Sequence, residues 1–205
     1  MKERPIIFSA PMVRAILAGT KTQTRRAVKP QPKPWGCGGL QVPGYCSSTA
    51  ESFRSGMPIF MSKFGKPGDR LWVRESHWWF IDERDPVTGY TPPLLTIDDV
   101  SYRADGDDGR TAWRSPIHMP RWASRITLEI TGVRVERLQD ISEADAMAEG
   151  CELECMTPTG DDSGSAIYGP GGYRALWESI NGPGSWAANP WVWVVEFRRV
   201  EGGAA

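Results

Sequence analysis

Trp191-Val192-Trp193-Val194-Val195-Glu196-Phe197 is the most continuous apolar run in the chain. β-branched and aromatic residues fill both of its faces, which is the composition of a strand covered on both sides. The run is therefore expected at the interior of a sheet. Arg125-Ile126-Thr127-Leu128-Glu129-Ile130-Thr131 alternates cleanly, and Val133 and Val135 continue in the same style, so a second strand is expected there. Gly68-Asp69 reads as a turn that opens the alternating strand Arg70-Leu71-Trp72-Val73-Arg74-Glu75. Pro5-Ile6-Ile7-Phe8 reads as a short strand near the start.

Three helices are expected between these strands. Met12, Val13, Ile16 and Leu17 make one apolar stripe, with Ser9 as N-cap, Pro11 in the first turn and Gly19 as the stop. Ser142-Glu143-Ala144-Asp145 resembles a capping box, and Gly150 ends the helix it opens. Tyr173 to Ile180 reads as a short helix carrying Leu176, Trp177 and Ile180. Short strands outnumber helices and turn signals separate them. The expected class is α+β, built on a small closed or half-closed β-barrel with flanking helices. One domain over 1–205 is expected, with long loop insertions at 27–66, 76–119 and 150–172.

Composition excludes several classes. The formal net charge is −1, so no global basic field points to nucleic acid. The charge is unevenly placed, however. Residues 1–35 hold eight Lys/Arg and one acid (8 − 1 = +7), while 82–108 hold eight acids and two arginines (2 − 8 = −6). The two regions either steer an anionic ligand or form solvated faces. No stretch reaches the roughly 20 apolar residues of a membrane span, and no secretory leader pattern opens the chain. The expectation is a cytoplasmic protein with its cysteines as thiols, in the host cytoplasm if phage-encoded, with no membrane partner.

Gly19-Thr20-Lys21-Thr22-Gln23-Thr24-Arg25-Arg26 places a lysine, three hydroxyls and two arginines within eight residues. Such a set suits phosphate binding or activation of a hydroxyl nucleophile. It also suits a helix C-terminus, where cations are favoured by the dipole. It is not a P-loop, because the upstream glycine and preceding strand are missing.

Ile16 to Arg25, Gly68-Asp69 with its strand, Ile141 to Gly150 and the closing Val194-Val195-Glu196-Phe197, in that order, resemble the ASCH family of the PUA-like superfamily. The opening is also similar to that of small proteins carried by phages and prophages. The resemblance implies a PUA-like barrel. One bacterial branch consists of amidohydrolases that deacetylate acetylcytidine with a Lys, a Thr three residues later and a distant Glu. Carried onto this chain, these catalytic positions are Lys21, Thr24 and Glu149. In chemical terms, Thr24 would be the nucleophile, Lys21 the base, and Glu149 would orient the lysine or shuttle a proton. Other members of the superfamily bind RNA or modified bases without chemistry, and some ASCH proteins are described as ribonucleases. The expected partner is therefore a nucleoside or single-stranded nucleic acid, with Thr22, Arg25, Arg26, Arg74 and Glu75 as ligand contacts. No cofactor and no metal are expected. Cys37, Cys46, Cys151 and Cys155 do not match the common zinc spacings, and the two histidines, His77 and His118, carry no deaminase or hydrolase motif.

Overall fold

The computed structural model describes residues 1–35, 39–41, 48–49, 62–79, 96–106, 109, 112–150 and 170–200. Its scaffold is a five-stranded sheet made of β1 (Glu3–Ile7), β2 (Gln23–Ala27), β6 (Arg70–Arg74), β9 (Thr127–Arg137) and β10 (Trp191–Arg199), in the order β1-β6-β9-β10-β2. β1 runs parallel to β6, and the other pairs are antiparallel. β10 lies between β9 and β2, so both of its edges are paired, and an apolar cluster covers each of its faces, as its composition requires. Its odd residues, Trp191, Trp193, Val195 and Phe197, pack with Ile6, Leu71, Val73, Leu128 and Ile130 in the main core. Val192 and Val194 point the other way, into a second cluster with Leu138, Ala146, Tyr173 and Trp177.

α1 (Ala10–Leu17) covers the first face with Val13 and Ile16. Ser9 occupies its N-cap position without a side-chain cap bond, and Pro11 lies in its first turn. α2 (Glu143–Ala148) and α3 (Pro170–Asn181) cover the second face. Ser142 caps α2 by accepting from the Asp145 amide at 3.1 Å. α3 begins three residues earlier than Tyr173, the expected first residue.

The α+β class holds, but the barrel does not close. β1 and β2 are the two edges of the sheet, and among the described residues no ladder joins them. The reason is geometric: β1 adds to β6 in parallel, on the far side from β2, and α1 crosses between the two edges instead of a further strand.

The expected insertions contain their own short ladders. β3 (Lys33–Trp35), β4 (Gly39–Gln41) and β5 (Ser48–Thr49) form a three-stranded sheet within 27–66. β7 (His77–Trp79) pairs with β8 (Val100–Tyr102) within 76–119. Trp79, Val100 and Tyr102 of this pair form a third cluster with Met119 and Ala123. The four cysteines, the acidic residues 82–95 and most of 150–172 lie outside the described residues.

Candidate functional site

The turn after α1 determines where Lys21 points. Gly19 adopts a φ of +79°, which reverses the chain, and the amides of Thr20 and Lys21 both donate to the Ala15 carbonyl. The chain then meets the end of α2. Lys21 and Glu149 form an antiparallel bridge, and the Thr22 amide donates to the Ala148 carbonyl at 2.9 Å. Gly150 permits this close approach. Its φ is +74°, and a Cβ on it would lie 2.9 Å from both Ala15 Cβ and Lys21 Cβ.

Lys21 Nζ donates to the Glu149 carbonyl at 2.7 Å and to Glu149 Oε2 at 2.8 Å. The two side chains are 0% and 3% exposed. A charge pair this dry survives only when each partner is held by several bonds. The other carboxylate oxygen has such a bond: Arg25 Nη1 donates to Glu149 Oε1 at 3.3 Å. Glu149 is thus held from both sides by cations on the segment 21–25.

Arg25 sits at the centre of a wider network. It donates to Glu136 Oε1 at 2.5 Å from Nη2 and 3.1 Å from Nε, and to Asp145 Oδ2 at 3.0 Å. Its side chain is fully buried. Burial opposes its charge, but Glu136 and Glu149 outweigh that and hold its pKa above the usual arginine value. Arg134 bridges Glu136, Asp145 and Glu196 on the outer side of the same network. Asp145 loses solvation there, yet Arg25, Gln23 and Arg134 carry its pKa below the ordinary carboxylate value.

An open pocket lies at the edge strand β2, between α1 and α3. Thr24, Arg26 and Glu149 line it, with Met12 on the α1 side and Tyr173 and Trp177 on the α3 side. Lys21 stands behind Glu149, not at the pocket wall. Strand alternation divides the two arginines. Thr24 pairs with Val195 and Arg26 with Trp193, on the face of the main core, whereas Arg25 pairs with Val194 on the other face. Arg26 is half-buried. Its Nη2 donates to the Ile7 carbonyl at 2.6 Å, and its guanidinium lies over the Phe8 ring at 5.3 Å.

The fold therefore assembles Lys21, Thr24, Glu149, Arg25 and Arg26 at one place. It does not bring Arg74 and Glu75 there. Arg74 donates to the Ile117 carbonyl at 3.2 Å and covers the Trp72 ring. Glu75 is buried against Arg125, whose Nε and Nη2 lie 3.0 and 3.1 Å from its oxygens. Burial raises the Glu75 pKa, with Arg125 pulling against it. Thr22 is exposed and stands outside the pocket wall. Arg25 reaches the pocket, but its guanidinium is already engaged by three carboxylates.

Sequence reasoning missed Glu136 and Asp145 as partners of Arg25, and Tyr173 and Trp177 as pocket walls. The aromatic pair had a signal, the i, i+4 spacing on an amphipathic helix, which reads equally as core. The carboxylates had no signal short of the strand pairing itself.

No family model matches the chain, and neither a curated protein nor a solved structure matches it. Among the described residues no cluster of three metal-ligating side chains occurs, and no helix is long and apolar enough to cross a membrane.

Proposed function

We propose that the chain is an amidohydrolase of the ASCH type, acting on an acylated nucleoside or base such as acetylcytidine. One observation carries the reading: Lys21 and Glu149, 128 residues apart, meet at 2.8 Å, and Glu149 shares a pocket wall with Thr24. A lysine–carboxylate pair beside a hydroxyl is the arrangement that activates a weak nucleophile.

The pair supplies the base in either of two equivalent ways. Glu149 takes the Thr24 hydroxyl proton directly, or Lys21 takes it after passing its own proton to Glu149 across their hydrogen bond. Thr24 Oγ1 then bonds to the acyl carbon. The C–N bond breaks, and the exocyclic amine leaves with the proton returned by the pair. Water cleaves the acyl-threonine ester, releasing the carboxylic acid and restoring the hydroxyl. Arg25 keeps the carboxylate oriented through its bond to Oε1.

The flat, apolar walls from Tyr173 and Trp177 suit a planar base. Lys21 and Arg25 are consumed by internal pairing, which weighs against the alternative in which they serve as nucleic-acid contacts.

The test is release of acetate and cytidine from N4-acetylcytidine, followed chromatographically. The wild-type chain turns over. Thr24→Ala and Lys21→Ala each lose about 10²–10⁴-fold in kcat/KM. An unchanged rate in Lys21→Ala would remove this site from the reaction, and no turnover by the wild type would leave a binding pocket without chemistry.

A further inference from the structure

Among the cations of this site, Arg26 differs from its neighbours. Lys21 has the Glu149 carboxylate, and Arg25 has three carboxylates. Arg26 has none. Among the described residues its Nη2 is hydrogen-bonded to a neutral carbonyl, that of Ile7. Its Nε is buried without a partner. Burial lowers its pKa below the usual arginine value, with Glu149 and Tyr173 opposing this in part. A second buried donor without a partner, Trp177 Nε1, belongs to the opposite wall of the same pocket.

Buried donors are almost always satisfied, and a desolvated cation without a counter-charge is costly. Two such donors, on residues that line one pocket, call for acceptors that the described residues do not supply. The guanidinium is also the group best matched to a phosphate, through its planar fork of donors.

We infer that Arg26 is the anion subsite of this pocket, and that the preferred ligand is a nucleotide carrying a phosphate beside its base, bound more tightly than the neutral nucleoside. The inference rests on reading this pocket as the site of the proposed reaction. Thr24 and Arg26 lie on one face of β2, two residues apart, so Cβ atoms are separated by about two strand rises, ~7 Å. That spacing lets a base present its acyl group to Thr24 while its phosphate meets Arg26. The phosphate belongs either to a free nucleotide or to a strand, and the two are told apart by the same measurement.

The experiment is calorimetric titration of the full chain with cytidine, cytidine 5′-monophosphate and a cytidine dinucleotide. The monophosphate or the dinucleotide binds about 10- to 100-fold more tightly than cytidine, the margin of a charge-assisted bond. Tighter binding of the monophosphate assigns a free nucleotide, and tighter binding of the dinucleotide assigns a strand. In Arg26→Gln the margin falls towards one, and in Arg26→Lys part of it returns. Equal binding of all three compounds overturns the inference, as does a margin that persists in Arg26→Gln. The N4-acetylated forms of the same compounds are then assayed for turnover. If none is hydrolysed but the phosphate margin stands, the amidohydrolase reading falls and the anion subsite remains. If Arg26→Gln lowers kcat equally on the neutral and phosphorylated substrates, Arg26 serves the transition state and the subsite is refuted.

Discussion

The Lys21–Glu149 pair is the joint on which the site depends, and its strength is measurable without knowing the substrate. Lys21→Met keeps the length of the stem and removes the charge. Glu149 Oε2 is then left without its donor at a side chain only 3% exposed. Glu149→Gln keeps the shape and removes the opposite charge, leaving the buried ammonium with the Glu149 carbonyl at 2.7 Å. At 2.8 Å and an effective dielectric of about 20, the attraction between the two charges is about 6 kcal/mol. Roughly half of that is offset by desolvation, so each single change costs about 3 kcal/mol, at the low end for breaking a buried pair. Arg25 softens the loss because it keeps Glu136 and Asp145 when Glu149 is neutral.

In the double variant Lys21→Met/Glu149→Gln neither charge remains buried and unpaired. Independent effects would sum to about 6 kcal/mol, whereas the double variant should lose about 3 kcal/mol, a coupling of about 3 kcal/mol. Urea unfolding at pH 7, with the m-value checked for constancy, reads all four species. A domain of ordinary stability stays folded through each single loss. Coupling below about 0.5 kcal/mol would mean that the two side chains do not depend on one another, and the site as described would be wrong.

Two further outcomes follow from the packing. His77 is fully buried, with Nδ1 3.0 Å from the Glu75 carbonyl and Nε2 without a partner. Burial, with Arg114 and His118 adding to it, holds its pKa below the ordinary 6.5. Below pH 6.5 the unfolded chain takes up a proton that the folded chain refuses. The contribution of His77 is therefore complete above pH 6.5 and lost as pH falls towards its folded value, by at most about 1.4 kcal/mol per pH unit. Urea unfolding between pH 7.5 and 5 should show a shallower decline in His77→Phe, and an identical decline would refute the assignment. Gly150→Ala places a Cβ 2.9 Å from Ala15 and Lys21 at a φ of +74°. Left-handed strain and overpacking together predict a loss of about 2–4 kcal/mol, and a loss under about 0.5 kcal/mol would show that α2 and the Lys21 turn do not meet as described.

The elements that a pattern can specify were legible in the sequence. β10, β9 and α1 each carry a periodicity that only one kind of burial satisfies, and each forms where that periodicity lies. Closure of the sheet was not legible, because it depends on which edge β1 joins, and the short apolar pattern of β1 does not name its partner strand. The carboxylate partners were not legible for the same kind of reason. Arg25 meets Glu136, Asp145 and Glu149 across 111, 120 and 124 residues, so only the assembled sheet and α2 bring them together. Arg74 and Glu75 misled because a strand end rich in charge reads as a site. Alternation sends Arg74 outward over Trp72 and Glu75 inward to Arg125.

The same alternation separates two residues that the sequence presents as one motif. Arg25 and Arg26 are adjacent and chemically identical, and both read as phosphate contacts. Once Gln23 to Ala27 is an edge strand, their side chains must leave on opposite faces. One face carries Glu136 on β9 and Asp145 on α2, so the arginine there becomes part of the frame that holds Glu149. The other face carries Phe8 and the Ile7 carbonyl, which offer no counter-charge. The division of labour therefore follows from parity along β2. Exchanging a neutral residue for Arg25 dismantles a buried network, while the same exchange at Arg26 removes a charge that no carboxylate among the described residues pairs with directly.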